Sequence, residues 1–307
     1  MFNYLGCIMN NIRTEFSIKD LENLSGIKAH TIRIWEKRYN LLEPNRSDTN
    51  IRSYNIENLQ KLLNVVFLNS NGYKISKISE LKEKEIPVLV REIASRGNQQ
   101  HHAINAFKMS MLNFDQILFN KTYSNLLQEN TFRDIFYDVF IALLEEIGIL
   151  WQTDTISPAH EHFISTLIKQ KILVNIEKVQ NLEPQTGKKT FVLFLPDHEI
   201  HDIGLLFINY ELVCMGYHCI YLGPSVPISC LQDLIEHYDQ ITFLSYFTVK
   251  PEVSELPDYV NEFNEALLDN SDNKFIILGQ RSKELNEVTL PEKINSYSSI
   301  KDLVKDL

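Results

Sequence analysis

Apolar positions along the chain pass through three regimes: short helices with a hairpin, longer helices, then strands alternating with helices. Ile18, Leu21 and Leu24 recur every three residues behind Ser17, an N-cap residue with Asp20 in the first turn, which predicts a helix over 17–24. Ser25-Gly26 ends it, and a second helix is predicted over 29–39 with Ile32 and Trp35 facing the core. Leu42-Glu43-Pro44-Asn45-Arg46 and Ile51-Arg52-Ser53-Tyr54 read as a proline-punctuated hairpin. Leu59, Leu62, Leu63, Val66 and Phe67 form one stripe of a helix over 56–69, and a short helix follows over 75–81. Pro87 and Gly97 then interrupt the periodicity, which argues against a long coiled coil.

From about Gln99 to Val179 the pattern is helical almost throughout, in four segments over 103–112, 114–128, 131–153 and 158–179. The brief connections predict a small bundle, and Pro158 is well placed to start the last helix. Asn181 to Lys189, with Pro184 and Gly187, reads as a polar linker. Beyond it, strands are predicted at 190–195, 218–222, 241–246 and 274–278, with a weaker one at 294–297. Helices over 202–215, 228–238, 256–268 and 299–307 separate them, the order of a doubly wound, flavodoxin-like parallel sheet.

Composition changes this picture in one respect. The net charge of −10 argues against a nucleic-acid binder until it is divided along the chain. Residues 1–75 carry 10 Lys/Arg against 7 Asp/Glu, whereas the remainder carries 20 against 33, so a mildly basic head precedes an acidic body. The four cysteines, Cys7, Cys214, Cys219 and Cys230, form no Cys-x-x-Cys pair and read as reduced thiols. No run approaches the roughly 20 apolar residues of a membrane span, and the first ten residues lack a basic signal-peptide start. A cytoplasmic location without a membrane partner is expected.

Two short helices joined by a glycine turn are the pattern of a helix-turn-helix, whose second helix enters the major groove. Arg33, Lys37 and Arg38 project from that helix toward phosphates or guanine edges. Thr31-Ile32-Arg33-x-Trp35-Glu36-x-Arg38-Tyr39, followed by Leu-x-Pro-x-Arg and Arg-x-Tyr, closely resembles the winged helix-turn-helix of the MerR family over about residues 14–80. The resemblance implies DNA contacts from Arg33, Trp35, Lys37, Arg38 and Tyr39 on the recognition helix, and from Arg46, Arg52 and Tyr54 on the wing. It also implies that two heads bind each double-stranded operator.

The loop Pro196-Asp197-His198-Glu199-Ile200-His201-Asp202-Ile203-Gly204 stands at the carboxyl end of the first predicted strand of the last domain, where such sheets bind ligands. An imidazole with a carboxylate two residues before it and a glycine three residues after suits metal ligation, although a loop histidine is more often simply solvated, as His198 is expected to be. Glu199-x-His201-x-x-Gly204 resembles the cobalamin-binding loop in which the histidine is the lower cobalt ligand. Ser245-Tyr246-Phe247 stands where that family has Ser-x-Leu, and Leu278-Gly279-Gln280 keeps the first glycine of its Gly-Gly. Trp151 followed at nine residues by Glu161-His162 resembles the bundle motif that roofs the corrin in CarH-type cobalamin photoreceptors. In that family a histidine commonly follows the tryptophan; here it is Gln152, with His160 and His162 as the nearby imidazoles.

Taken together, these resemblances imply a multidomain fold: a winged helix-turn-helix over 12–85, a four-helix bundle capping cobalamin over 95–182, and a Rossmann-like cobalamin domain over 188–307. They imply adenosylcobalamin, or methylcobalamin, as the cofactor. His201 would bind cobalt, Glu199 would orient it, Gly204, Ser245 and Gly279 would line the slot for the nucleotide tail, and Trp151, Glu161 and His162 would close over the upper ligand. The implied function is a light-sensing, DNA-binding repressor, not an enzyme, whose homo-oligomer, dimer or tetramer, controls operator binding. A MerR-type repressor that ignores cobalamin and uses the distal domains as a scaffold is the alternative, favoured by Gln152 and Gln280 and opposed by His201 and Trp151.

Overall fold

Ser17 starts the first helix by a reciprocal capping box: its Oγ accepts from Asp20 N, and Asp20 Oδ2 accepts from Ser17 N. The structure, a computed structural model, describes residues 15–46, 51–94, 99–180, 189–238, 240–269, 271–287 and 290–307. Its contacts separate two units, residues 1–167 and 168–307.

In the first unit, helix α1 (Ile18–Ser25) and helix α2 (Ala29–Tyr39) form the predicted helix-turn-helix. Gly26 between them takes a left-handed φ of 73°, the turn only glycine adopts without strain. Lys28 precedes α2 without capping it; Glu22 of α1 substitutes, accepting from Ala29 N at 3.0 Å and from Lys28 Nζ at 3.1 Å. The backbone bond from Ala29 and the Lys28 ammonium hold the Glu22 carboxyl down at about 2. Strands β1 (Glu15–Phe16), β2 (Asn45–Arg46) and β3 (Arg52–Asn55) make a small antiparallel sheet in the order β1-β3-β2. Helices α3 (Ile56–Ser70) and α4 (Ile75–Ile78) follow as predicted, and then an unpredicted helix α5 (Glu85–Ala94) packs on α3. Pro87 lies in its first turn, where a missing amide costs nothing.

Helices α6 (Gln99–Asn113), α7 (Gln116–Leu126) and α8 (Phe132–Ile135) come next. A π-helical stretch, Phe136–Phe140, joins α8 to α9 (Ile141–Gln152), and α10 (Pro158–Val179) crosses the boundary between the units. Phe107, Phe119 and Phe140 are fully buried, with ring centroids 4.8 and 5.5 Å from Phe107. The head is fastened to this helical region. Lys108 Nζ, buried, donates to Leu24 O at the end of α1 and pairs with Glu146 at 2.7 Å, while Asn23 Nδ2 donates to Thr155 Oγ1 at 3.0 Å.

The second unit holds a five-stranded parallel sheet: β4 (Thr190–Phe194), β5 (His218–Gly223), β6 (Ile241–Tyr246), β7 (Lys274–Leu278) and β8 (Ile294–Ser296), in the order β5-β4-β6-β7-β8. Its helices are α11 (Ile203–Cys214), α12 (Gln232–Ile235), α13 (Leu256–Phe263) and α14 (Ile300–Asp306). The first part of the helix predicted over 228–238 is a 3-10 turn, Ile228–Leu231, and α13 runs on through a π-helical turn to Leu268. Strands β4, β6 and β7 are buried on both faces, as expected of a parallel sheet covered by helices. Phe194, Phe243, Phe263 and Phe275 form an aromatic stack on the α13 side, with Phe263 and Phe275 only 3.8 Å apart. The strand order reverses between β4 and its neighbours β5 and β6, so the β4–α11 loop sits at the switch point. The linker expected at 181–189 lies, apart from Lys189, outside the described residues. No described helix is long and apolar enough to cross a membrane.

Candidate metal-ligand loop and nucleic-acid interface

The β4–α11 loop is built around one buried carboxylate. Glu199 is 1% exposed. Its Oε1 accepts from Ile200 N at 2.8 Å, His201 N at 3.0 Å and His201 Nδ1 at 2.6 Å. Its Oε2 accepts from Thr248 N, Val249 N and Lys250 N at 3.2, 2.6 and 2.8 Å. Burial pushes this carboxyl up, but the imidazole and the ring of amides outweigh it and hold it down at about 2. A carboxylate so held keeps the imidazole proton on Nδ1 and makes Nε2 the lone-pair donor of a half-exposed ring. Among the described residues no three metal-ligating side chains converge. One carboxylate-backed imidazole would suit a metal whose other sites a macrocycle fills, the donor set that the resemblance to the cobalamin-binding loop implies.

Neighbouring residues fix the loop further. Asp202 is buried and ion-paired with Lys169 of α10, within the same unit. Ser225 Oγ donates to Asp197 Oδ1 at 2.8 Å, tying this loop to the one after β5. His198 is exposed, as expected. Ser245 is fully buried, and its Oγ donates to Phe194 O at 2.8 Å. Gly204, in the first turn of α11, lies under the ring of Tyr246: a Cβ there would come within 2.7 Å of Cζ. Gly279 has φ +103°, and a Cβ would meet Phe247 O at 2.3 Å. Gly279→Ala is therefore expected to lower the unfolding free energy by about 2 kcal/mol or more; a wild-type midpoint in urea would contradict this.

The second motif lies in the first unit. Trp151, at the end of α9, is half-exposed, and Glu161 and His162 stand in the first turn of α10. Glu161 Oε1 accepts from Ser165 Oγ at 2.8 Å, and its Oε2 lies 3.5 Å from His162 Nδ1. His160, one of the two imidazoles near Gln152, is 3% exposed, stacked on Phe114 at 4.8 Å and bonded to Ser157 Oγ at 2.9 Å. Its ring belongs to the core, which leaves His162 as the exposed one.

In the head, Arg33, Lys37 and Arg38 are exposed along α2, and Arg38 lies over the Tyr39 ring at 5.4 Å. A groove of about 600 Å3 between α2 and the wing is lined by Arg33, Lys37, Arg46 and Arg52. Two expected DNA contacts are corrected. Trp35 is buried in the core, and Tyr54 is fully buried with its hydroxyl donating to Glu36 Oε2 at 3.0 Å. Glu36, part of the MerR-like motif but given no role by the sequence, also accepts from Arg52 Nε at 3.1 Å and faces Arg46 at 3.7 Å. It ties the wing to the recognition helix. Burial and the Glu36 carboxylate together push the Tyr54 phenol well above its usual range.

Residues 16–85 match the MerR HTH family of regulatory proteins, and residues 103–174 match the B12 binding domain. The chain is 27% identical to the HTH-type transcriptional repressor CarH of Myxococcus xanthus over 69% of its own length and 72% of that protein. To CarA, a repressor of the same organism, it is 26% identical over 70% of each. Among solved structures, the monomethylamine corrinoid protein of Methanosarcina barkeri superposes with a TM-score of 0.56 at 13% identity. It covers 67% of this chain and 97% of that one, a likeness of fold.

Proposed function

We infer that the chain is a CarH-type regulator of the MerR family: a DNA-binding transcriptional repressor that senses light through bound cobalamin. The observation carrying this reading is the 2.6 Å contact between Glu199 and His201 Nδ1, in a chain that also presents a basic recognition helix. The proposed domains are the winged head over 12–85, a four-helix bundle over 95–182 and the Rossmann-like sheet over 188–307. Adenosylcobalamin is the proposed form, and when bound it supplies a light-labile cobalt–carbon bond.

The chain's own residues do the rest. Glu199 would keep the His201 proton on Nδ1, leaving Nε2 to hold the cobalt. Gly204, Ser245 and Gly279 border the nucleotide tail. Trp151, Glu161 and His162 would help to enclose the cofactor. Arg33, Lys37, Arg38, Tyr39, Arg46 and Arg52 hold the operator, with the arginines and Lys37 neutralising phosphates. A homo-oligomer presents several heads to one operator, and linked heads bind far more tightly than one because the second contact is intramolecular. A cytoplasmic location goes with this reading.

The test is an absorption spectrum and an operator titration on the same preparations. In the dark, adenosylcobalamin should give a base-off, histidine-on spectrum that His201→Ala abolishes. Operator affinity should fall at least tenfold after green light. An uncoloured protein would refute cobalamin sensing, and equal dark and lit affinities would refute the light switch.

A further inference from the structure

Helix α2 carries one side chain for which neither the core nor the charge of the head accounts. Ile32 and Trp35 point into the core, and Tyr39 is partly buried beside them. At 3.6 residues per turn the opposite, outward face is centred on His30, Ile34 and Lys37, with Arg33 and Arg38 to either side. All five are exposed, Ile34 by 51%. An isoleucine placed there adds nothing to the core, and its branched Cβ makes it a poorer helix former than alanine. It stands one turn from His30 and one turn from Arg38, an apolar spot on a face whose charged residues, Arg33, Lys37 and Arg38, are all basic.

We propose that Ile34 is a specificity-determining residue that reads thymine through its C5-methyl group on the floor of the major groove. This rests on the operator-binding reading above, in which α2 is the recognition helix. The outward centre of such a helix meets base edges, while side chains flanking it reach phosphates. Arginine and lysine alone would hold any duplex, since phosphates carry no sequence. In the major groove thymine alone presents a methyl group, which an aliphatic side chain buries. A G·C pair at the same place would instead set the cytosine amino group and guanine O6 against a side chain that can bond neither, so Ile34 also rejects it.

The full-length chain, in the dark with adenosylcobalamin supplied, is used to select duplexes from a random pool. The selected duplex is then rebuilt with deoxyuridine in place of each thymine in turn, which removes the methyl and leaves the pairing intact. One thymine per half-site should stand out. Its replacement should weaken wild-type binding about threefold or more, as expected for one methyl group returned to water, and should leave the affinity of Ile34→Ala unchanged. Duplexes selected by Ile34→Ala should lose the A·T preference at that position, while the variant's thermal midpoint does not fall. Ile34→Val, which keeps the branched Cβ, should retain the preference. The assignment is overturned if no single thymine methyl matters to the wild-type chain, or if Ile34→Ala stays as sensitive to deoxyuridine as wild type. If no duplex is enriched at all, the operator-binding reading itself fails, and the inference with it.

Discussion

Replacing Glu199 by alanine should unfold the switch-point loop and abolish, with it, the metal coordination proposed for His201. Six donors converge on this carboxylate, five of them backbone amides from segments about 50 residues apart in sequence. A buried donor left without an acceptor costs roughly 1–3 kcal/mol, so even with water admitted the loss should be about 3 kcal/mol or more. Glu199→Gln should fall between the two, since one of its ends becomes a donor facing donors. The pH dependence has a definite sign. The folded carboxyl is held down at about 2 against an ordinary 4.5. Its ionisation therefore favours the native state fully above about pH 4.5, and this contribution is lost as the pH falls toward 2. Urea titrations of wild type and Glu199→Gln between pH 2 and 7 check this: the variant's stability should change less with pH across that window. Parallel curves would remove the carboxylate clamp from the account.

The second large effect is expected in the head, from a residue outside the proposed set of DNA contacts. Glu36→Ala leaves the buried Tyr54 hydroxyl without its acceptor and releases Arg52. The head should lose about 2–3 kcal/mol, and operator affinity should drop at least tenfold, because Arg46 and Arg52 would no longer be held beside the recognition helix. Tyr54→Phe removes only the hydroxyl and should cost about 1 kcal/mol while affinity changes little. Arg33→Ala should do the reverse, weakening operator binding with little change in thermal midpoint, since its side chain is exposed. Gel-shift titration beside differential scanning calorimetry separates the two classes, and an unchanged Glu36→Ala operator affinity would show that the wing stands without this anchor.

Local chemistry made most of the architecture legible. The capping box at Ser17, the stripe from Leu59 to Phe67 and the apolar runs of β4, β6 and β7 each encode an element within a few residues. The Glu199-x-His201 spacing likewise brings carboxylate and imidazole together, because two residues in one turn cannot be far apart. Helix α5 is not legible in the periodicity because Pro87 interrupts it, although Pro87 occupies the one turn where proline is harmless.

Sequence alone therefore determined the order of most elements, the basic head and the pairing of Glu199 with the His201 imidazole, all set by neighbours in the chain. Only the tertiary structure decided that Glu199 also clamps residues 248–250, that Glu36 anchors the wing, that Tyr54 and His160 belong to cores, and that the Tyr246 ring rests on Gly204. The physical reason is that periodicity records which face of an element is apolar, whereas these contacts depend on which distant segment the packed fold lays against that face.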